Sequence, residues 1–253
     1  MRILITGANR GIGLEFARQY AAAGHDIIAT CRTPSAASEL AELATVCPAV
    51  TVEQLDVTDP RSIDTLAAAV GTDRPLDLLI NNAGNYGVSA GSLSDVRPDD
   101  WMEMLRVNTI GPVLVTRALL PPLRRSSRPM VVGLSSVKAS IGRNHMGGSY
   151  QYRATKAGLN AVLRSLAVDL ADEGVCVIAL SPGWVPRSSD AFGRGLSPDQ
   201  RLRRARRFFS EFGGREVRVT QSESVSGMIA VIDKLTIADS GSFLDHEGGS
   251  LPW

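Results

Sequence analysis

A tyrosine and a lysine four residues apart are the clearest candidates for proton transfer in this chain. Tyr152 and Lys156 lie at the start of a helix-length segment, so they share one helix face. A free tyrosine has a pKa of about 10, too high for efficient proton exchange at neutral pH. Lowering it by about 3 units needs about 4 kcal/mol, which one cation about 4 Å away can supply at an effective dielectric constant near 20. The pair predicts a tyrosine general acid/base, although exposed helices also carry such pairs by chance.

Two serines follow the apolar run Met130–Leu134, which predicts a strand. Ser135 and Ser136 therefore lie at the carboxyl edge of a parallel sheet, where ligands bind in such folds. A serine hydroxyl there can donate a hydrogen bond to a substrate carbonyl and polarise it as negative charge develops. Together with the tyrosine and the lysine, the serines indicate chemistry at a carbonyl group.

A glycine-rich turn, Thr6–Gly13, joins the first predicted strand to the first predicted helix. Glycines let the backbone bend sharply and approach a pyrophosphate, while the helix N-terminus offers free N–H groups and partial positive charge. An ordinary glycine-rich turn is the alternative. The position between strand and helix, at the start of the chain, favours a dinucleotide site.

The residues after the second predicted strand indicate which dinucleotide binds. In most such folds an acidic residue about twenty positions after the glycines binds the ribose hydroxyls. Here the strand ends in Ala29–Thr33, which contains no carboxylate. Arg32 can instead pair bidentately with a 2′-phosphate, and Arg10 can add a second contact. The sequence therefore predicts NADP(H), the alternative being two solvated arginines in an arginine-rich chain.

Short apolar runs alternate with helix-length segments along the chain. The predicted strands are Ile3–Ile5, Ile27–Ala29, Val50–Leu55, Leu78–Ile80, Met130–Leu134, Val175–Leu180 and a short one near Ser242–Asp245. The predicted helices include Gly13–Ala23, Ser62–Val70, Pro98–Leu120, Tyr150–Glu173 and a last one at about Ser224–Leu235. Few strands alternate strictly, which suits strands buried on both faces. The pattern predicts an α/β fold: one doubly wound Rossmann domain over residues 1–253, a parallel sheet of about seven strands with helices on both faces.

Residues 187–220 interrupt this alternation. Ser197 and Gln200 predict a capped helix start, and Gly213-Gly214 predict its end. Apolar residues recur on one face of this helix, and arginines crowd the other. We expect an inserted helical lid that closes over a hydrophobic substrate. The candidate substrate contacts are Trp184, Phe208, Phe209 and Phe212.

Composition limits the other classes of function. The formal net charge of +1 gives no overall field for nucleic acid or an anionic membrane. The basic run Arg201–Arg207 could instead bind nucleic acid, but phosphate binding usually needs a wider basic surface. The solvent-exposed face of an amphipathic helix explains the run as well. No apolar run can span a bilayer, and no room for a signal peptide is expected before the first strand. Three widely spaced cysteines fit neither a disulfide framework nor a metal site, which favours the cytoplasm.

An ordered set of motifs resembles the short-chain dehydrogenases/reductases. The set covers nearly the whole chain: Thr6–Gly13, Asn81–Gly84, Asn108, Ser135-Ser136, Tyr152 with Lys156, and Pro182-Gly183. Further stretches look similar to the carbonyl-reductase branch with sniffer-type and C-factor-like proteins: Ala29–Arg32, Val107–Pro112, Pro182–Val185 and Ser224–Met228. The resemblance implies a homodimer or homotetramer that acts on a small carbonyl substrate. From the composition we expect no nucleic-acid or membrane partner and no metal.

The resemblance also implies a role for individual residues. Tyr152 is the acid/base, Lys156 lowers its pKa and binds the nicotinamide ribose, Ser136 orients the carbonyl, and Asn108 holds a water that links Lys156 to solvent. Asp56-Val57 contact the adenine, Asn82–Gly84 flank the adenosine ribose, and the Pro-Gly turn lines the nicotinamide. The full implied cofactor set is Gly7, Asn9, Arg10, Gly11, Ile12, Gly13, Arg32, Asp56, Val57, Asn82, Ala83, Gly84, Tyr152, Lys156, Pro182, Gly183 and Val185.

Two features depart from the family pattern. The threonine usual after the Pro-Gly turn is replaced by Pro186–Ser189, and the inserted segment is longer and more basic than that branch usually carries. Two hypotheses follow. One is an NADPH-dependent reductase of ketones or aldehydes, and the other is a signalling or regulatory protein that binds NADP(H) with little turnover.

Overall fold

The computed structural model describes residues 1–87, 93, 96–185 and 218–253. The lid predicted over residues 187–220 lies outside the described residues except for its last three positions, and so do Phe208, Phe209 and Phe212. The lid and its substrate contacts therefore stay predictions.

Seven parallel strands form one sheet in the order β3-β2-β1-β4-β5-β6-β7. The strands are β1 Arg2–Ile5, β2 Asp26–Cys31, β3 Val50–Gln54, β4 Leu78–Asn81, β5 Met130–Leu134, β6 Cys176–Ser181 and β7 Phe243–Asp245. The chain winds outward from β1 in one direction and then from β4 in the other, so a crevice opens at the carboxyl ends of these two strands. The predicted doubly wound Rossmann fold is confirmed.

Helices cover both faces of the sheet. They are α1 Gly11–Ala22, α2 Ser38–Val46, α3 Pro60–Val70, α4 Pro98–Leu105, α5 Gly111–Leu123, α6 Tyr150–Asp169 and α7 Gln221–Lys234. Successive strand residues point to opposite faces, so Ile3 and Ile5 join one apolar cluster and Leu4 joins the other. Residues of α1 and α7 pack in the first cluster, and residues of α3, α5 and α6 pack in the second. Within the described residues, no helix combines the length and the apolar character needed to cross a membrane.

Some predicted boundaries differ from the observed ones. The helix predicted over Pro98–Leu120 is helical throughout, but a π-helical turn, Arg106–Ile110, separates α4 from α5, and α5 continues to Leu123. Helix α3 begins at Pro60 instead of Ser62, because the Asp59 carboxylate accepts a hydrogen bond from the Arg61 N–H at 3.0 Å and caps the helix there. Helix α6 ends at Asp169 rather than Glu173 and is followed by a 3₁₀ turn.

Candidate active site

The glycine turn between β1 and α1 has no room for side chains on its inner side. Gly7 has φ +66°, and a Cβ atom there would lie 2.9 Å from the Ala83 Cα. A Cβ on Gly13 would lie 2.5 Å from the Gly7 carbonyl oxygen. Gly11 also has a positive φ, +59°, but nothing lies within 4 Å of its Cβ position. The turn is therefore packed tightly against the sheet and open on its outer side, where a ligand can approach the backbone.

Asn82, just after β4, holds this turn in place. Its Nδ2 donates hydrogen bonds to the carbonyl oxygens of Thr6 at 2.8 Å and Gly7 at 2.9 Å. The Ala83 N–H donates to the Thr6 hydroxyl at 2.9 Å. Asn82 thus holds the backbone of the glycine turn, and the ribose contact that the resemblance implies stays a prediction. The neighbouring Gly84 is exposed.

Both arginines predicted to select NADP(H) are exposed at the carboxyl edge. Arg10 is the N-cap residue of α1, and Arg32 directly follows β2. A hydrogen bond of 2.8 Å from the Ala8 N–H to the Thr30 carbonyl ties the glycine turn to the end of β2. Asn9 and Ile12 in the same turn are half-buried.

Asp56 and Val57 lie just beyond the end of β3. The Asp56 carboxylate accepts hydrogen bonds from the Thr58 N–H at 2.9 Å and the Thr58 hydroxyl at 2.7 Å. Val57 is buried, and a Cβ on Gly111 would lie 3.0 Å from its side chain. Asp56 is thus held by hydrogen bonds and Val57 by packing, and their contact with the adenine stays a prediction.

The two serines after β5 have different environments. Ser135 is buried, and its hydroxyl forms a 2.5 Å hydrogen bond with Oδ1 of Asn160 on α6. Ser136 is half-buried, and its hydroxyl accepts a bond of 3.2 Å from the Lys138 N–H, which caps a 3₁₀ turn. That contact leaves the Ser136 hydroxyl able to donate. The geometry therefore favours Ser136, as predicted, for contact with a substrate.

Tyr152 and Lys156 lie on the first turns of α6, facing the same edge. The Lys156 Nζ lies 6.0 Å from the centre of the Tyr152 ring and donates to the Leu134 carbonyl at 2.6 Å. Lys156 is buried, and this burial lowers the pKa of its ammonium from 10.5 to about 8. Tyr152 is half-buried. The lysine is thus anchored at the end of β5 beside the tyrosine it is predicted to assist.

Asn108 is fully buried in the π-helical turn. Its Oδ1 accepts from the Asn85 N–H at 2.7 Å, and its Nδ2 donates to the Asn85 carbonyl at 2.7 Å and to the Thr155 hydroxyl at 3.1 Å. The side chain therefore connects the loop after β4 to helix α6. π-Helical turns occur frequently at functional sites, and this one carries the residue predicted to hold a water near Lys156.

The Pro182-Gly183 turn follows β6 at the same edge. The Ser224 hydroxyl donates to the Pro182 carbonyl at 2.6 Å. Gly183 has φ +73°, and a Cβ there would lie 2.9 Å from the imidazole of His246. The Ser224 bond and the nearby His246 ring enclose the turn on one side, and the nicotinamide contact expected for the turn stays a prediction.

Trp184 and Val185 are the last described residues before the predicted lid, and both are half-buried. The Arg218 guanidinium lies 4.6 Å from the centre of the Trp184 indole ring. The Val219 N–H donates to the Trp184 carbonyl at 3.2 Å. The chain on either side of the predicted lid is therefore joined beside the Pro-Gly turn.

Sequence reasoning missed a second layer of side chains next to Tyr152. The Tyr86 ring lies 4.3 Å from the Tyr152 ring, measured between centres. The Lys138 Nζ donates to the Tyr86 hydroxyl at 2.8 Å and to the Ser149 hydroxyl at 3.1 Å. One signal was available, since Lys138 follows Ser136 by two positions and is one of few lysines in the chain.

The candidate residues occupy two regions of one sheet edge. Ser136 follows β5, and Lys156 is anchored at the end of β5 beside Tyr152. Asn108 links the loop after β4 to helix α6, whereas Arg32 lies at the end of β2. Three strand spacings separate β2 from β5, or about 14 Å, and the glycine turn lies between them. The arrangement suits an extended ligand with its phosphates at the glycine turn and its reactive end at Tyr152. In the described part of the chain, no three His, Cys, Asp or Glu side chains are grouped to hold a metal ion.

Comparison with known proteins agrees with this geometry. Residues 1–191 match the short chain dehydrogenase family. C-signal of Myxococcus xanthus is 36% identical over 179 residues, which cover 71% of this chain and 93% of that protein. The NADPH-bound carbonyl reductase from chicken fatty liver superposes with a TM-score of 0.83 and 34% identity, covering 100% of this chain and 98% of that one. Carbonyl reductase Sniffer of D. melanogaster gives a TM-score of 0.83 and 28% identity, covering 100% and 99%. The chain belongs to the short-chain dehydrogenase/reductase family of oxidoreductases.

Proposed function

We propose that the protein is an NADPH-dependent carbonyl reductase that acts on a ketone or an aldehyde with a hydrophobic body. One observation carries the proposal: Tyr152 and the buried Lys156 lie together at the end of β5, beside the half-buried Ser136. The similarity to the NADPH-bound chicken carbonyl reductase supports the same reaction class.

The residues at the sheet edge fit NADPH. The glycine turn leaves its outer side free for the pyrophosphate, and α1 directs its N-terminus there. The exposed guanidinium groups of Arg32 and Arg10 suit a 2′-phosphate, because both can form charge-assisted hydrogen bonds with phosphate oxygens. In this proposal the Pro182-Gly183 turn and Val185 line the nicotinamide. When bound, NADPH supplies the hydride for the carbonyl carbon.

The protein side chains polarise the carbonyl group and supply its proton. Ser136 donates a hydrogen bond to the carbonyl oxygen and strengthens its polarisation. Tyr152 donates its hydroxyl proton to that oxygen, which completes the alcohol. The Lys156 ammonium stabilises the tyrosinate left behind, and its buried position strengthens this electrostatic effect. Asn108 links the loop after β4 to helix α6 by hydrogen bonds, which helps to hold Tyr152 and Lys156 in position.

A substrate panel with a matched pair of variants tests this function. Purified protein is given NADPH with ketones, aldehydes and quinones, and loss of NADPH absorbance is recorded. Tyr152→Phe keeps the ring but removes the transferable proton, so turnover should fall by about 10² or more while NADPH still binds. Tyr150→Phe is the control, since Tyr150 is exposed two residues away. Near wild-type turnover in the Tyr152 variant would show that Tyr152 is not the acid.

A second function is favoured by the similarity to C-signal. In this case the protein binds NADP(H) as a signalling or regulatory component with little turnover. Tight NADPH binding by calorimetry, without turnover anywhere in the panel, would support this second function and reject the reductase.

The homo-oligomer and the cytoplasmic location stay predictions. Light scattering, which measures the mass of the assembly in solution, tests the homo-oligomer.

A further inference from the structure

The ammonium of Lys138 lies one tyrosine ring away from Tyr152. Its Nζ is 5.4 Å from the centre of the Tyr86 ring, and the centre of the Tyr86 ring is 4.3 Å from that of the Tyr152 ring. Hydrogen bonds to the Tyr86 and Ser149 hydroxyls hold this position. Ser149 immediately precedes α6 and has φ +51°, an uncommon conformation for a residue with a side chain. The ammonium is thus held by Tyr86 in the loop after β4 and by Ser149 at the start of helix α6.

No carboxylate among the described residues neutralises this charge. The ion pairs found there join Arg18, Arg74 and Arg124 to acidic partners, and none includes Lys138. Both hydrogen-bond partners of its ammonium are neutral hydroxyls, which use two of its three protons. Lys138 is half-buried, so a charge that pairs with it is less screened than at an open surface. The reactive end of the site therefore contains a positioned cation with capacity for an anion.

The backbone of Lys138 is connected to Ser136. The Lys138 N–H donates to the Ser136 hydroxyl, so the two residues belong to one 3₁₀ turn at the end of β5. In the proposed reductase the carbonyl oxygen is held by Ser136 and Tyr152. The Tyr86 ring packs against the Tyr152 ring, and the Lys138 ammonium bonds to the Tyr86 hydroxyl. A substrate with a flat or apolar body about as wide as one tyrosine ring can span from Tyr152 to Lys138.

We propose that Lys138 selects carbonyl substrates that carry a carboxylate, held about one aromatic ring away from the carbonyl group. Tyr86 provides the apolar surface between the two groups, and the Lys138 ammonium pairs with the carboxylate. This assignment rests on the proposed reductase function and defines the substrate class of the same site.

A matched pair of substrates tests the inference. The acid is 4-formylbenzoate, which has an aldehyde and a carboxylate at opposite ends of one ring, and the neutral partner is its methyl ester. The ratio of kcat/KM for acid to that for ester is measured in wild type and in Lys138→Gln. Glutamine can still donate to Tyr86 and Ser149 but has no charge. The ratio should fall about tenfold or more, mainly through KM for the acid, and the wild-type ratio should shrink with added salt.

Two further variants separate charge recognition from a structural role. Lys138→Arg should keep most of the preference for the acid. Lys234→Met removes a positive charge from the exposed end of α7, so it should leave the ratio unchanged. If Lys138→Gln leaves the ratio unchanged, either with no loss of activity or with equal losses for acid and ester, the inference is overturned. Equal losses would make Lys138 a positioning residue. Reduction of other carbonyls but of neither probe would also overturn it, whereas no turnover of any carbonyl would reject the reductase function itself.

Discussion

Burial of Lys156 predicts a specific pH dependence of stability. Its ammonium has its pKa lowered from 10.5 to about 8, because burial disfavours the charged form. In the unfolded chain the lysine regains its ordinary pKa, so between these values the unfolded state binds more protons than the folded state. The contribution of Lys156 to the free energy of unfolding therefore increases as pH rises through this window, and it is lost as pH falls through the folded pKa. The full shift corresponds to about 3 kcal/mol.

Replacement of Lys156 by methionine isolates this contribution. Methionine has a similar length but no charge, and all other titrating groups cancel when the two proteins are compared. The free energy of unfolding of wild type, minus that of Lys156→Met, should rise by about 2 to 3 kcal/mol between pH 7 and pH 10. Urea unfolding without cofactor, followed by circular dichroism at several pH values, measures this difference.

An exposed lysine provides the control for this measurement. Lys234 lies at the end of α7 in contact with solvent, so the same comparison with Lys234→Met should give a flat difference across the pH range. A flat difference for Lys156→Met as well would refute the reasoning, since it would mean that the buried ammonium keeps the pKa of a solvated one. A rising difference would mean that Lys156 loses its charge at a lower pH in the folded protein than in the unfolded chain.

The remaining predictions concern the cofactor and the serines. Arg32→Ala should reduce the preference for NADPH over NADH by at least tenfold, about 1.4 kcal/mol, by calorimetry; equal affinities in wild type would contradict the assignment. Gly13→Ala should destabilise the protein by about 1 to 3 kcal/mol, because its methyl group would meet the Gly7 carbonyl oxygen at 2.5 Å. Gly142→Ala, with its nearest neighbour at 3.8 Å, should have little effect in the same urea unfolding. Ser136→Ala should lower kcat with little change in Tm, whereas Ser135→Ala should lower Tm by removing a buried hydrogen bond to Asn160.

The fold was largely predictable because its signals are local. Buried parallel strands require short apolar runs, and Leu78–Ile80 and Met130–Leu134 each identify one strand directly. The glycine turn is equally local, since Gly7 and Gly13 are small for steric reasons that arise within one strand-turn-helix unit and the neighbouring loop. The spacing of Tyr152 and Lys156 is a property of one helix.

Features that depend on distant residues were not predictable from the sequence. The contact between Lys138 and Tyr86 joins residues 52 positions apart, and it exists only because β4 and β5 are neighbours in the sheet. The difference between Ser135 and Ser136 depends on Asn160, which reaches Ser135 from α6. The π-helical turn likewise contains Asn108, which bonds to Asn85 and Thr155 on other elements. The apolar periodicity of Pro98–Leu120 does not indicate this turn.

The π-helical turn also limits how the length of this chain can change during evolution. An α-helical turn contains 3.6 residues, so losing or gaining one residue rotates everything beyond it by about 100°. A deletion next to Asn108 would restore the α-helical repeat between α4 and α5. It would also turn the Asn108 amide away from Asn85 and Thr155. Substitutions on the solvent face of these helices would leave the Asn108 hydrogen bonds in place, whereas a change in the number of residues next to Asn108 would disturb them.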